Sequence, residues 1–341
     1  MRFGLFCAPL ANTETLGPET GQGFHDWVEF NVEAEALGFH STFLVEHHFT
    51  GWNQSSSTLM MLACLAMRTT TLRLGSAVLV LPWHNPVLLA EQAATLDVMS
   101  KGRLDFGIGK GYRHNEFAGF CIPQEEAEPR FEEAIEVITR SWLSRTRFSH
   151  QGRFWKFEDI VVEPPPAQKP HPPFWVAAGN PHTIARAAAR GFNLILDQYA
   201  SPQTLGERIA IYRGAREAGA AQFDPMQVVV ARQLYVANDK AEAQAALERQ
   251  AQNTRRTVAV SRSPDGKAGA HVLAYADKPG ETEANALYGT PDEIVRKLEA
   301  LKNAGVEYVM FTVGGGAEQL RRFARDIMPA FAGTRLSSAA E

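Results

Sequence analysis

The chain has few cysteines, no long apolar run and no excess of positive charge. Its 341 residues contain three cysteines, Cys7, Cys64 and Cys121. They are odd in number and far apart in sequence, which argues against a disulfide framework and against a cysteine-based metal site. No apolar run approaches the roughly 20 residues that span a bilayer. The net charge of −4 leaves no basic field to attract nucleic acid. These absences predict a cytoplasmic protein without membrane, metal or nucleic-acid partners, whose ligands are small molecules.

The chain alternates short apolar runs with longer stretches of helical periodicity. Repeated strand–helix units predict an α/β fold with a parallel sheet, and eight right-handed crossovers close into a (β/α)8 TIM barrel. A doubly wound open sheet is the alternative. The predicted strands are Arg2–Pro9, Ser41–His47, Leu72–Val80, Leu104–Gly109, Phe174–Gly179, Leu194–Gln198, Val228–Val236 and Tyr308–Val313. The predicted helices are Phe24–Leu37, Ser57–Met67, Pro86–Met99, Pro129–Leu143, Pro181–Arg190, Pro202–Ala218, Lys240–Asn253, Pro291–Asn303 and Ala317–Phe331.

Two segments interrupt this alternation. We expect residues 1–335 to form a single barrel domain with insertions near 145–173 and 254–288, followed by a flexible tail at 336–341. The first insertion alternates polar and apolar residues around His150–Trp155, which predicts a hairpin. The second is polar and shows little periodicity, so it is either a mobile lid over the barrel mouth or a surface insertion.

Three segments between residues 43 and 120 share one pattern. They contain EHHF at Glu46–Phe49, GSAVLVLP at Gly75–Pro82 and KGRLDFGIGKG at Lys101–Gly111. In each, a strand pattern ends abruptly in ionisable residues or glycine, and the carboxyl ends of barrel strands are where active sites lie. In this order the segments resemble the luciferase α-subunit and, more widely, the luciferase-like flavin monooxygenases. The likeness continues more thinly to the segment Gly289–Glu293.

The EHHF segment places two histidines at the end of a strand. Because successive side chains of a strand point to opposite faces, only one of them can easily face the barrel mouth. A histidine at a strand end is more often structural than catalytic. The resemblance implies that His47 is the general acid/base, that Glu46 is the carboxylate beside it, and that His48 is structural.

The segment after Gly75 consists of small residues, which let a backbone approach a planar ligand. A buried strand explains the same pattern, because Leu79–Leu81 follows at once. The resemblance implies a non-prolyl cis peptide bond between Ala77 and Val78, packed beneath the isoalloxazine ring of a flavin.

Glycines around Lys110 have the spacing GxGxG, which lacks the third glycine of a dinucleotide fingerprint. The resemblance instead matches Lys110 to an arginine that binds the FMN phosphate. It also implies that Gly179, Asn180 and Thr183 contact this phosphate, at a helix N-terminus whose N–H groups favour anions. The glycines at 314–316 are a rival anion site or simply a turn.

Polar residues follow Lys110 at the same predicted mouth. Arg113 and His114 are candidates for substrate binding, with a solvated loop as the alternative, and Glu116 matches an acidic residue of the family. We assign His114 and Glu116 to the substrate. Luciferase has a cysteine at the position of Gly109, so the resemblance does not extend to light emission.

The resemblance implies a two-component monooxygenase. Reduced FMN comes from a separate flavin reductase, dioxygen adds to it, and the flavin hydroperoxide oxidises a small organic substrate by Baeyer–Villiger oxidation, hydroxylation or aldehyde oxidation. One alternative is a deazaflavin-dependent reductase or dehydrogenase on the same barrel, and another is a non-catalytic flavin-binding subunit. The resemblance also implies a homodimer, in which the helices flanking the second and third strands pack against their two-fold mates. These helices, Ser57–Met67 and Pro86–Met99, are rich in Ala, Leu and Met, which ordinary packing on the barrel explains as well.

Overall fold

The computed structural model describes residues 1–9, 21–49, 55–261 and 280–332. Eight parallel strands form a closed barrel in the order β1, β2, β3, β5, β8, β9, β10 and β12. The ladder between β9 and β10 and that between β12 and β1 close the ring, which confirms the predicted barrel over the open sheet. The strands are β1 (Arg2–Phe6), β2 (Ser41–Leu44), β3 (Arg73–Ser76), β4 (Leu79–Val80), β5 (Leu104–Gly109), β6 (Phe148–Gln151), β7 (Lys156–Ile160), β8 (Phe174–Ala177), β9 (Asn193–Leu196), β10 (Val228–Val236), β11 (Leu287–Gly289) and β12 (Tyr308–Val313).

Helices cover the outside of the barrel, and several begin where the sequence marks a cap. Asn85, Asn180 and Ser201 each accept a hydrogen bond from a backbone N–H of the first turn, and each is followed by proline. The helices are α1 (Gln22–Ala36), α2 (Thr58–Arg68), α3 (Pro86–Met99), α4 (His114–Gly119), α5 (Ala127–Leu143), α6 (Pro181–Ala189), α7 (Pro202–Ala218), α8 (Lys240–Ser261), α9 (Glu281–Asn285), α10 (Pro291–Asn303) and α11 (Ala317–Asp326). No described helix is long and apolar enough to cross a membrane.

Some predicted bounds were wrong, mainly at the carboxyl ends of strands. The strand predicted to reach His47 ends at Leu44, because the following residues turn away to make the side-chain contacts described below. The strand predicted over Leu72–Val80 is divided into β3 and β4, with a cis peptide bond between Ala77 and Val78. The helix predicted to end at Asn253 continues to Ser261, and α4 was not predicted at all.

The first insertion forms the predicted hairpin, in which β6 and β7 pair in antiparallel fashion. The carboxylate of Glu133 on α5 accepts hydrogen bonds from the backbone N–H groups of Arg153, Phe154 and Trp155, which fixes the hairpin to the outside of the barrel. The predicted lid at 254–288 lies mostly outside the described residues, as does the tail at 336–341.

The inside of the barrel is filled by large apolar side chains below the mouth. Phe43, Trp175 and Met310 are buried there and belong to one cluster. A Cβ atom at Gly75 would lie 2.3 Å from the Phe43 ring. Gly75 therefore makes room for a core side chain of the protein.

Candidate active site

Glu46 is buried just beyond the end of β2 and is held by three donors. Its Oε1 accepts hydrogen bonds from Nε2 of His48 at 3.1 Å and from Nε2 of His84 at 2.7 Å, and its Oε2 accepts the Val80 N–H at 2.6 Å. Burial opposes ionisation, but the hydrogen bonds from His48, His84 and Val80 outweigh it and hold the pKa of Glu46 at about 2. Glu46 therefore ties the end of β2 to the segment after β3, and its hydrogen-bond donors are His48, His84 and Val80, with His47 bound elsewhere.

His47 is paired with a different carboxylate, that of Glu116 on α4. The Nδ1 atom of His47 lies 3.1 Å from Glu116 Oε1, which also accepts the backbone N–H of His48 at 3.0 Å. Burial lowers the pKa of His47, and the positive charge of Arg113 adds to this, whereas the hydrogen bond to Glu116 opposes it. The network assigns the proton of a neutral imidazole to Nδ1, so Nε2 is left as the basic atom.

His48 is packed among aromatic rings. Its ring centroid lies 4.8 Å from that of Phe120 and 5.4 Å from that of Trp83, both in edge-on geometry. Together with its hydrogen bond to Glu46, this packing agrees with a structural role for His48.

Small side chains form a floor at the barrel mouth. Ala177 is exposed although Trp175, two residues earlier on the same inward face of β8, is buried, so the barrel opens above Trp175. Ala77 and Val78 are half-buried and pack against the cluster inside the barrel that contains Phe43, Trp175 and Met310. A Cβ atom at Gly109 would lie 2.5 Å from Val78 Cγ2, so the side chain of Val78 occupies the space that a cysteine at this position would need.

Lys110 lies at the rim, where it is part of an ion-pair chain. Its Nζ is 2.8 Å from Glu128 Oε2, and Glu128 Oε1 accepts a hydrogen bond from Arg186 of α6 at 2.8 Å. The side chain of Lys110 is 58 % exposed. Lys110 therefore lies near Arg186 of α6, and the carboxylate of Glu128 partly balances its positive charge.

Gly179, Asn180 and Thr183 lie at the start of α6. The Thr183 N–H and hydroxyl both donate to Asn180 Oδ1, at 2.9 and 3.0 Å. Asn180 is therefore the cap of this helix, and an anion would have to share the donors of Thr183 with it.

The rival glycine segment turns the chain into α11. Gly315 and Gly316 have φ values of +85° and +75°, a backbone region that other residues rarely adopt. A Cβ atom at Gly314 would lie 3.6 Å from the ring of Tyr235. The geometry agrees with the interpretation of this segment as a turn.

The helix α4 carries both residues that we assigned to the substrate. Glu116 is turned to His47, and His114 is half-buried at the first position of the helix. Sequence reasoning missed two contacts of this site. One is the hydrogen bond between His84 and Glu46, and the other is the pairing of His47 with Glu116. No pattern in the sequence connects positions that are 69 residues apart.

Comparisons with known proteins agree with this geometry. Residues 1–308 match the family described as luciferase-like monooxygenase. The chain is 27 % identical to the oxygenase component of a flavin-dependent trigonelline monooxygenase from Acinetobacter baylyi, over 98 % of this chain and 97 % of that protein. It is 26 % identical to an F420-dependent glucose-6-phosphate dehydrogenase from Amycolatopsis mediterranei, over 94 % and 96 %.

Two further comparisons extend this picture. An uncharacterized protein, y4vJ, from Sinorhizobium fredii is 33 % identical, but the aligned region spans only 63 % of this chain and 61 % of that protein. The crystal structure of monooxygenase RslO1 from Streptomyces bottropensis superimposes with a TM-score of 0.82 and 27 % identity, over 97 % of this chain and all of that one. The fold and the order of the segments are therefore shared along nearly the whole chain.

Proposed function

Because the chain belongs to the luciferase-like monooxygenase family, we propose that this oxidoreductase is an FMN-dependent monooxygenase that uses dioxygen to oxidise a small organic substrate. A relative named as an oxygenase component supports a two-component system, in which a separate reductase supplies reduced FMN. The observation that carries the proposal is a polar pair, His47 beyond the end of β2 and Glu116 on α4, in a barrel whose mouth has an apolar floor.

The residues at the mouth fit a flavin. A planar ring needs a floor without protruding side chains, and Ala77, Val78 and Ala177 offer small apolar groups there. We propose that Lys110, Gly179, Asn180 and Thr183 hold the phosphate, since Lys110 shares the carboxylate of Glu128 with Arg186 of α6, and the N-terminus of that helix carries the other three residues. Bound reduced FMN would supply the two electrons that activate dioxygen, of which one atom enters the substrate and the other leaves as water.

We propose that His47 is the acid/base group. Its pKa is lowered by burial, so at neutral pH the imidazole is uncharged and its Nε2 atom can take up a proton and return it. Glu116 fixes the ring orientation and the tautomer through Nδ1. Glu46 acts one step further away as a positioning residue, since it holds His48 and His84.

The test is an anaerobic titration with reduced FMN, followed by rapid mixing with oxygenated buffer. We expect saturable binding, seen as quenching of tryptophan fluorescence, and a return of oxidised-flavin absorbance that is much slower than for free reduced FMN. The His47→Asn variant should bind reduced FMN as well as the wild type. Equal oxidation rates for free and bound flavin would contradict an oxygenase.

A second candidate is an F420-dependent dehydrogenase, which the glucose-6-phosphate dehydrogenase relative favours. F420 has a longer acidic tail than FMN and would need additional free cations beside Lys110. Arg186 and Arg190 are close by, but they are paired with Glu128 and Glu132 at 2.8 Å. Lys110 is paired with Glu128 as well, but the longer tail of F420 would require more of these ion pairs to open than one phosphate does, which favours FMN. Tighter binding of F420 than of reduced FMN in the same titration would reverse the choice.

We extend the proposal to a cytoplasmic homodimer. Most of the large apolar side chains that are exposed in the described part of the chain lie on α2 and α3, which pack side by side: Met60, Met67, Leu88, Val98 and Met99. An apolar surface of this kind is typical of an interface between subunits. All three cysteines are free thiols, as expected in a reducing compartment.

A further inference from the structure

Arg113 carries a buried guanidinium that donates no hydrogen bond to any described residue. The residue is 5 % exposed and lies directly before α4. Its Nε atom is buried and has no hydrogen-bond partner among the described residues. The nearest opposite charge is Glu116 Oε1, which is 4.0 Å from Nη1 and thus beyond hydrogen-bond distance. The Tyr112 ring centroid lies 5.8 Å from the guanidinium carbon.

Other buried arginines of the described chain use their donors within the protein. Arg208 donates to Asp197 Oδ2 at 2.6 Å, and Arg232 donates to the backbone carbonyl oxygens of Asp197 and Ala200. Such bonds replace the water that a guanidinium loses on burial, and leaving them unmade is costly. Arg113 differs because its charge is balanced by Glu116 while its N–H groups remain available.

The position of Arg113 connects it to the site. Glu116 Oε1, the carboxylate oxygen that pairs with its guanidinium at 4.0 Å, is the same atom that binds His47 Nδ1 at 3.1 Å. This oxygen already accepts two N–H groups, from His47 and from the backbone of His48, so it is poorly placed to accept a third. Because no described residue accepts a hydrogen bond from the guanidinium, an acceptor on a bound molecule would satisfy it.

We propose that Arg113 binds a carboxylate of the substrate, so that the enzyme acts on small organic acids. The planar fork of a guanidinium matches the two oxygens of a carboxylate and fixes the orientation of the molecule that carries it. The inference deepens the proposed function and rests on it, because it names the substrate class of the same site. The carboxylate is thereby anchored beside the His47–Glu116 pair.

The test measures binding of simple probes to the full-length protein without flavin. Formate and benzoate are compared with benzamide, the neutral analogue of benzoate, by isothermal titration and by the midpoint of thermal unfolding. We expect formate and benzoate to bind and to raise the midpoint, and benzamide to do neither. Arg113→Gln should weaken benzoate by about 10- to 100-fold, as expected for a charge-assisted hydrogen bond. Arg113→Lys, which keeps the charge without the fork, should be intermediate.

The matched control is Arg190→Gln, which removes an arginine from an ion pair with Glu132 on the outside of the barrel and should leave benzoate binding unchanged. Equal binding of benzoate and benzamide, no binding of either acid, or unchanged benzoate affinity in Arg113→Gln would each overturn the proposal.

Reduced FMN is titrated separately, to distinguish failure of this inference from failure of the proposed function. If Arg113→Gln weakens FMN and not benzoate, the arginine serves the cofactor and this inference fails while the proposed function stands. If the wild type binds carboxylates but not reduced FMN, the proposed function fails, while the assignment of Arg113 to a carboxylate stands.

Discussion

Replacement of Glu116 by glutamine tests the charge at the centre of the candidate site. Glu116 is 2 % exposed, and its Oε1 accepts from His47 Nδ1 and from the His48 N–H. Glutamine has nearly the same shape and can still accept both hydrogen bonds through its amide oxygen. The substitution therefore removes the negative charge and leaves the geometry almost unchanged.

The expected cost follows from the partners of this carboxylate. Two hydrogen bonds to a charged acceptor become bonds to a neutral one, which removes about 0.5–1 kcal/mol each. The buried guanidinium of Arg113 also loses its nearest counter-charge at 4.0 Å. Together these losses should lower the free energy of unfolding by about 2–3 kcal/mol, which is at or just below the roughly 3–5 kcal/mol for broken buried pairs because glutamine still accepts both hydrogen bonds.

The pH dependence adds a second readout. A histidine whose pKa is lowered by folding reduces stability as the pH falls below its unfolded value near 6.5, because the unfolded chain takes up the proton first. The hydrogen bond to Glu116 raises the pKa of His47, so its weakening should lower that pKa further. The gap in stability between Glu116→Gln and the wild type should then widen by up to about 1 kcal/mol between pH 7.5 and pH 5.5.

Urea unfolding at these two pH values measures both effects. The control is Glu128→Gln, since Glu128 is 39 % exposed and pairs with Lys110 and Arg186 at the rim, where an ion pair contributes at most about 1 kcal/mol. If Glu116→Gln is as stable as this control at both pH values, the charge of Glu116 does not hold the site together, and the reasoning is refuted.

Three further predictions concern catalysis, cofactor binding and assembly. His47→Asn should reduce turnover about 10²–10⁴-fold with FMN affinity retained, whereas His48→Asn should mainly lower the midpoint of thermal unfolding; the reverse pattern would exchange the two roles. Lys110→Ala should weaken reduced FMN by about 1.5–3 kcal/mol in a fluorescence titration, and an unchanged affinity would remove the lysine from the phosphate site. The double substitution of Met60 and Met67 by glutamate should convert a dimer into a monomer in light scattering, and a wild type that is already monomeric would end the dimer proposal.

Local signals in the sequence predicted much of the fold. The bounds of β5, β10 and β12 agree with the structure, because each strand is rich in apolar residues and a polar residue stands directly before it. The bounds of α3 and α7 agree as well, since each begins with a capping residue followed by proline. Such signals act within a few residues of the element they define, and they are therefore present in the sequence.

The site could be predicted only in its location. The resemblance and the strand-end rule placed His47, Glu46 and Glu116 at one mouth, and the structure brings them to the same end of the barrel. It separates their contacts, however, because Glu46 accepts from His48 and His84 while Glu116 accepts from His47. The resemblance placed Glu46 beside His47, but β2 ends at Leu44, and in the segment that follows, the two side chains reach different partners.

The sequence by itself determined the alternation of strands and helices, the caps that begin several helices and the end of the barrel where ionisable residues gather. Tertiary structure alone decided which groups meet. The contact of Glu116 with His47 and the space at Gly75 that is filled by Phe43 depend on how neighbouring strands and α4 are brought together. The physical reason is the distance over which each interaction acts. Propensity, capping and periodicity depend on residues that are close in sequence. Hydrogen bonds and packing depend on atoms a few ångströms apart in space, and only the closed barrel brings these parts of the chain together.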